Sequence, residues 1–506
     1  MKFTLVTDKN ADLKGVDGLF VPVLNRPGKT PLFGALFSLL TVTEQDFLRA
    51  RLAKRELKAG NNQIVDVGSG CVFLVAESSW DEKKIVFAVR KFIRQAKGDG
   101  STTIAFSVDD WKRNGITPDR AAVIITENTA VAHYDFSHEF KTAPEGGWKN
   151  IKQIRLYANG PSKKIEIAVA EAEAIGSAVN HCRTLSNYPP SDLSPEGMAE
   201  AARTAGRGLK NLTVTVFDEK KLASEGMNAI LAVGKGSASA PRLIIMEYRG
   251  TTVKEKPVAF VGKGVTFDSG GLNIKPGESM ADMHMDMSGG AAVIYAVALI
   301  AQLKLKVNVI GLVPAVENMP SGISYRQGDI IRAYGGKTIE VGNTDAEGRV
   351  ILADAIEYAK TKNPALIVTL ATLTGSAMGA LGLRSSALFV KNNRPLQKIL
   401  EDIGTQTGDS VWPLPLPDES DKDVEGNIAD VINTHRTNSR YGGAITGAAF
   451  LWQFAKPTPF AHIDMAPRMT SVPEEDILNR GALGFGVRYF LELARERAVI
   501  KKLVKG

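Results

Sequence analysis

The chain has 506 residues, 44% of them hydrophobic and 23% charged, the balance of a folded globular protein with room for two filled cores rather than of a disordered chain. Its net charge of +7 is moderate, and its two cysteines, Cys71 and Cys182, lack the C-x-x-C spacing of a zinc or redox site, so a disulfide scaffold is excluded and both thiols read as buried and free. The longest apolar run, Ala291 to Leu303, falls short of the ~20 residues that span a bilayer, and no transmembrane segment is predicted.

The opening Met1-Lys2-Phe3-Thr4-Leu5-Val6-Thr7-Asp8 alternates like a strand and reaches an acidic residue at once, unlike a signal peptide, so the protein is expected to stay in the cytoplasm. Short β-rich runs follow at Leu19 to Val23, Cys71 to Val75, Ile85 to Val89 and Thr103 to Phe106. With helical stretches such as Arg120 to His133 they predict a small α/β domain over residues 1–160. Lys83, Lys84, Arg90, Lys91, Arg94, Lys97, Lys112 and Arg113 gather here, and Arg495, Arg497, Lys501, Lys502 and Lys505 end the chain. A solvated surface is the preferred reading of both sets, and a nucleic-acid footprint the lesser one.

A linker at Asn159-Gly160-Pro161-Ser162 leads into a helix from Lys163 to Cys182. Its apolar positions Ile165, Ala168, Val169, Ala172, Ile175, Ala178 and Val179 recur at helical spacing, and residues 161–188 are assigned to this linking helix. After Pro189-Pro190 come apolar strands at Pro257 to Val261, Val307 to Val313 and Ala365 to Thr369. Helices are predicted between them at Gly289 to Leu303 and Glu347 to Lys360. Strands apolar on both faces and alternating with helices imply a mostly parallel central sheet covered by helices. Residues 189–506 are therefore the larger, catalytic α/β domain, with ligands expected at the carboxyl ends of its strands.

Three polar clusters interrupt that scaffold. Val261-Gly262-Lys263-Gly264-Val265-Thr266-Phe267-Asp268-Ser269-Gly270-Gly271, followed by Lys275, presents charge straight after glycines that let the backbone come close to a ligand. Met283-His284-Met285-Asp286-Met287-Ser288-Gly289-Gly290 places Asp286 just ahead of an apolar helix, where it is either a helix cap or part of a site. Gly342-Asn343-Thr344-Asp345-Ala346-Glu347-Gly348-Arg349 sets two carboxylates one residue apart. Asp268, Asp286, Asp345 and Glu347 thus converge on one sheet edge, and divalent cations supply the counter-charge most directly. Two such ions suit amide hydrolysis. His284 belongs to no H-E-x-x-H pattern, Gly262-Lys263-Gly264 lies in neither a phosphate loop nor G-x-G-x-x-G, and Ser269 has no G-x-S-x-G elbow or partnered histidine.

These segments closely resemble the metal-binding signatures of the leucyl (cytosol) aminopeptidase family, Asn343-Thr344-Asp345-Ala346-Glu347-Gly348-Arg349 being the most diagnostic run. The likeness extends from about Leu185 to Tyr489. It implies an aminopeptidase that removes single amino-terminal residues through a hydroxide bridging two divalent ions, Mn²⁺ or Zn²⁺. The tighter site would use Lys263, Asp268, Asp286 and Glu347, with Lys263 neutral, and the more exchangeable one Asp268, Asp345 through side chain and main-chain carbonyl, and Glu347. Lys275 would stabilise the oxyanion, Arg349 would hold a bicarbonate acting as general base, and Asp286 would receive the substrate's α-amine. Met283, Thr372, Ala466 and Met469 align with the side-chain pocket, Leu373 and Gly375 with main-chain substrate contacts, and Asn343 with the substrate-binding set. A methionine-lined pocket suits leucine or methionine, although Pro467 stands where the family commonly has glycine. A homohexamer acting on short peptides is also implied. A DNA-binding role and a two-metal phosphatase are the alternatives, the latter leaving the lysine ligand unexplained.

Overall fold

The computed structural model of the chain describes residues 1–8, 12–26, 30–54, 58, 60–67, 70–471 and 478–496. Two compact units make it up. The first runs from Met1 to Asn180 and includes Leu478 and Asn479, and the second begins at His181.

The first unit is built on a sheet of order β1 (Lys2–Val6), β7 (Gln153–Tyr157), β6 (Thr103–Ser107), β2 (Gly18–Leu24), β5 (Cys71–Glu77) and β4 (Asn62–Asp66), with β3 (Leu32–Phe33) paired to β2. Its helices are α1 (Val42–Lys54), α2 (Glu82–Asp99), α3 (Pro118–His133) and the first part of α4 (Lys163–Asn187). The run Ile85 to Val89, predicted as β-rich, is instead the first buried turn of α2. The Asp81 carboxylate caps that helix by accepting from Lys84 N, and the apolar set continues at helical spacing through Phe92, Ile93 and Ala96. Five apolar residues alone do not separate strand from helix; the cap and the longer period do. Several of the basic side chains are paired: Lys84 with Glu77 at 3.2 Å, Lys97 with Asp135 at 3.3 Å, and Lys112 with Asp109 at 2.6 Å. Arg497, Lys501, Lys502 and Lys505 lie outside the described residues. Both cysteines are free, Cys182 buried and Cys71 half-buried.

The second unit centres on a sheet of order β17 (Val411–Pro413), β16 (Ser386–Val390), β19 (Phe460–Asp464), β15 (Leu366–Ala371), β10 (Val258–Gly262), β12 (Asn308–Asn318), β9 (Arg242–Arg249) and β8 (Leu212–Phe217), with β11 (Gly264–Asp268) beside the end of β12. The four middle strands β19, β15, β10 and β12 are parallel; β16 and β9 join them antiparallel on either side, β8 pairs antiparallel with β9, and β17 pairs parallel with β16, a mixed arrangement common in large α/β sheets. A small sheet joins β13 (Ile330–Arg332), β14 (Thr338–Glu340) and β18 (Val431–Ile432). The helices are α5 (Pro195–Gly206), α6 (Glu219–Glu225), α7 (Asn228–Gly234), α8 (Gly277–Met280), α9 (Ser288–Gln302), α10 (Glu347–Thr361), α11 (Gly375–Leu381), α12 (Arg394–Thr407), α13 (Ser420–Asp423), α14 (Gly443–Ala455) and α15 (Val487–Arg495).

Alternation along β10 shows how the layers form. Ala259 and Val261 enter a core shared with α7, α10 and α14, while Phe260 on the opposite face stacks on Phe490 of α15 with ring centroids 4.2 Å apart. With both faces covered, β10, β15 and β19 are buried at every position, which is why β10 and β15 read as nearly continuous apolar runs, while β19 also buries His462 and Asp464. The segment Gly277–Gln302 is apolar and long enough to cross a membrane, but 83% of its most apolar window is buried inside the protein, as for a helix apolar on all sides at a core.

Candidate metal centre

The three polar clusters meet at the carboxyl ends of the parallel strands. β10 ends at Gly262 and delivers Lys263, β11 ends on Asp268, Asp286 precedes α9, and Glu347 opens α10. Glycine makes the convergence possible. A Cβ on Gly262 would lie 2.4 Å from the Gly289 carbonyl oxygen, and one on Gly289 would lie 2.2 Å from that of Leu370, so β10, β15 and the start of α9 pack backbone on backbone. Of the two readings of Asp286, the cap fails: Met287 occupies the N-cap position of α9, and Asp286 closes the 3₁₀ turn Met283–Met285 with its carboxylate facing Lys263.

Lys263 Nζ is buried among Asp286 Oδ2 at 2.8 Å, Glu347 Oε1 at 2.7 Å and the Thr372 carbonyl at 3.0 Å. Lys275 Nζ lies 3.0 Å from Asp268 Oδ2 and 2.5 Å from Asp345 Oδ1. Burial pushes the Asp286 and Glu347 carboxyl groups above the ordinary range, and Asp268 pushes the same way against the pull of Lys263. Burial disfavours both ammonium ions, but the surrounding carboxylates outweigh it and hold each above the ordinary lysine value. Four carboxylates thus face two lysines, with Lys263, Asp268, Asp286 and Glu347 buried and Lys275 and Asp345 half-buried at the open side, so that carboxylates outnumber ammonium groups. Asp268, Asp286 and Glu347 each bring one oxygen to within 4.8 Å of the others, and Glu347 Oε2 is buried with no hydrogen-bond partner among the described residues. Buried, converging hard donors with a free lone pair fit divalent cations.

The remaining predicted residues take defined places. Arg349, on the first turn of α10, is buried; Nη1 donates to the Asn433 carbonyl at 3.0 Å and Nε has no partner among the described residues. Asn343 Oδ1 accepts from Asp345 N at 2.7 Å, shaping its own loop. Thr372 Oγ1 donates to Asp286 Oδ1 at 2.6 Å. Leu373 follows β15, Gly375 opens α11, Met283 begins the turn before Asp286, and Ala466 begins the turn Ala466–Arg468 that Met469 follows. His284 is not in the carboxylate cluster. Ser269 Oγ donates to the Asn318 carbonyl at 2.7 Å, a structural use of its hydroxyl.

Sequence reading missed the residues that hold these groups. Asp464 ends β19; its carboxylate accepts from Leu373 N at 3.0 Å, Ala466 N at 3.2 Å and Thr374 Oγ1 at 2.6 Å, tying the two segments together. Asn433 accepts from Gly342 N at 2.7 Å and donates to the Asn343 carbonyl at 2.7 Å. Thr344 is buried and binds the Gly270–Asn273 turn through its amide and hydroxyl. The only signal available was a polar residue closing an apolar strand, as at His462-Ile463-Asp464 and Glu317-Asn318.

A parallel-centred α/β unit carrying a buried carboxylate and lysine cluster at its strand ends defines a metalloenzyme. A family model described as the cytosol aminopeptidase family, catalytic domain, matches residues 180–491. The probable cytosol aminopeptidase of Syntrophotalea carbinolica is 43% identical over 385 residues, 76% of each chain, and that of Chlorobaculum tepidum is 42% identical over 77% of this chain and 78% of its own. Among solved structures, a mutant of tomato leucine aminopeptidase matches with TM-score 0.83 at 28% identity, covering 98% of this chain and 96% of its own. The bottromycin maturation enzyme BotP in complex with Mn matches at 0.80 and 28%, covering 96% and 100%. The chain belongs to the cytosol aminopeptidase family and is a metal-dependent, leucyl aminopeptidase-type peptide hydrolase.

Proposed function

We propose that the protein releases single amino-terminal residues, leucine, methionine and other large apolar ones, from short peptides, using two divalent ions, Mn²⁺ or Zn²⁺. The observation that carries this is the cluster of Asp268, Asp286 and Glu347 oxygens within 4.8 Å, with Lys263 against two of the three carboxylates. Lys263, Asp268, Asp286 and Glu347 form the tighter site; Asp268, Asp345 and Glu347 form the more exchangeable one. When bound, the ions supply an activated water and polarise the scissile carbonyl.

The chain's own residues do the rest. Lys275, kept charged by Asp268, Glu347 and Asp345, stabilises the oxyanion. Arg349, with its buried Nε unpartnered among the described residues, would hold a small anion such as bicarbonate, which would supply a general base there. The substrate's free α-amine would be bound by a metal and by Asp286, which restricts cleavage to the first residue. Leu373 and Gly375 hold the peptide main chain, and Asn343 belongs to the same substrate-binding set. Met283, Thr372, Ala466 and Met469 receive the first side chain, their walls joined by Asp464 through Leu373 and Ala466. A homohexamer accords with the resemblance, and a place in the cytoplasm with the names of the curated relatives.

The test is hydrolysis of Leu-p-nitroanilide by metal-stripped protein before and after Mn²⁺ or Zn²⁺, with Glu347→Ala alongside. Metal-dependent release that vanishes in the variant establishes the reading; no release from the loaded wild type overturns it. Sedimentation decides the hexamer.

A further inference from the structure

Asn318, the last residue of β12, is fully buried and sits beside Asp268 in the register of β11 with β12. Its Nδ2 donates twice, to Asp268 Oδ1 at 2.9 Å and to the Thr344 carbonyl at 2.9 Å. Its own carbonyl accepts from Ser269 N at 3.1 Å and from Ser269 Oγ at 2.7 Å. One side chain therefore joins the loop that carries Asp268 to the loop that carries Asp345 and Glu347. Its acceptor is treated differently. Asn318 Oδ1 is buried against Gly271 with no hydrogen-bond partner among the described residues. A buried amide serving stability alone would satisfy both ends, because an orphaned acceptor loses its hydration without replacement. Here the orphan is tolerated so that both amide hydrogens face the two ligand loops.

We infer that Asn318 is a positioning residue of the metal centre: its amide sets the spacing between the Asp268 carboxylate and the Thr344–Asp345 peptide, and with it the more exchangeable cation site. This rests on the two-ion reading above. Asp268 Oδ1 is engaged by Gly270 N at 2.9 Å and by Asn318, so the side chain is locked with Oδ2 towards Lys275. The Thr344 carbonyl is held by two donors, Asn318 Nδ2 and the buried Tyr325 hydroxyl at 2.6 Å, which fixes the plane of the peptide leading into Asp345. Lys263 and Asp286, which belong to the tighter site alone, exchange no hydrogen bond with Asn318, whereas Asp345, which belongs to the exchangeable site alone, follows the Thr344 carbonyl that Asn318 holds. The two sites should therefore respond unequally to its loss.

The experiment is calorimetric titration of Mn²⁺ into metal-stripped wild type, Asn318→Leu and Tyr325→Phe, with circular dichroism and melting to check folding. Outer residues that orient ligands typically change metal affinity by about 10–100-fold. The weaker binding step should fall by that much in Asn318→Leu and by about 3–10-fold in Tyr325→Phe, which loses one of two donors. The tighter step, whose own ligands Lys263 and Asp286 are not bonded to Asn318, should change far less than the weaker one. If Asn318→Leu does not fold, Tyr325→Phe decides alone. Unchanged affinity at the weaker step, or equal weakening of both, overturns the inference. A wild type that binds no Mn²⁺ overturns the two-ion reading and this inference with it.

Discussion

Gly348 lies directly against Lys263: a Cβ added to it would stand 2.6 Å from Lys263 Cε and 2.7 Å from Nζ. The glycine of Ala346-Glu347-Gly348-Arg349 is there because the lysine needs its space. Lys263 cannot yield freely, since Nζ is held by Asp286, Glu347 and the Thr372 carbonyl. Gly348→Ala should lower kcat/KM by about 10–100-fold, the usual effect of sub-ångström misplacement at a reacting centre. Overpacking at this buried contact should also cost about 1–3 kcal/mol of stability. Steady-state kinetics beside a melt checks this, and full activity in the variant would refute it.

Removing Lys263 tests its second role, as a counter-charge in the metal-free protein. Lys263→Met leaves Asp286 and Glu347 buried without their cation and should destabilise the stripped protein by about 3 kcal/mol, as for breaking a buried ion pair. Mn²⁺ should also stabilise the wild type, by about 2.7 kcal/mol at a hundredfold excess over Kd. Urea unfolding with and without Mn²⁺ measures both. Equal stability of variant and wild type without metal would show that the lysine is no counter-charge.

Asp110 in the first unit gives a pH signature away from the metal centre. Its Oδ1 accepts from Ala35 N at 2.6 Å, Oδ2 has no partner among the described residues, and burial pushes its pKa from 3.8 up to about 7. A raised folded value means that the native state holds the proton longer than the unfolded chain, so this group's contribution to stability is complete below about pH 4 and is lost as pH rises through 7. Asp110→Asn removes the dependence. Its stability relative to wild type should improve by about 2–3 kcal/mol between pH 5 and pH 8. Thermal melts across that range decide it; a constant difference would contradict the assignment.

Asp464 accepts from both sides of the proposed side-chain pocket. Asp464→Ala leaves the Leu373 and Ala466 amides without their acceptor and should raise KM for leucyl substrates roughly tenfold, the scale of ~1–3 kcal/mol for unpaired buried donors. Asp464→Asn, which keeps an acceptor, should stay near wild type. Similar KM values in wild type and the alanine variant would refute the positioning role.

Much of the second unit was legible because burial on both faces writes continuous apolar runs: Pro257 to Val261, Val307 to Val313 and Ala365 to Thr369 fall on β10, β12 and β15, and Gly289 to Leu303 and Glu347 to Lys360 on α9 and α10. The carboxylates stood out against that background. The supports did not, because Asn318 reaches Asp268 across 50 residues of sequence and Asp464 reaches Leu373 across 91. Pairing at such separation leaves no local period to read. In the first unit, Ile85 to Val89 misled for the opposite reason: five apolar residues suit either period, and the cap at Asp81 settles it.

The contact of Gly262 with Gly289 places two peptide groups where side chains would ordinarily intervene. Lys263 and Asp286, one and three residues from that contact, are therefore spaced chiefly by backbone packed directly on backbone. Substitutions that enlarge or shrink the core around α9 should shift stability while leaving the lysine-to-carboxylate distance nearly constant. The spacing of these two charged groups is thereby shielded from drift in the hydrophobic interior, which gives the sequence latitude to change there.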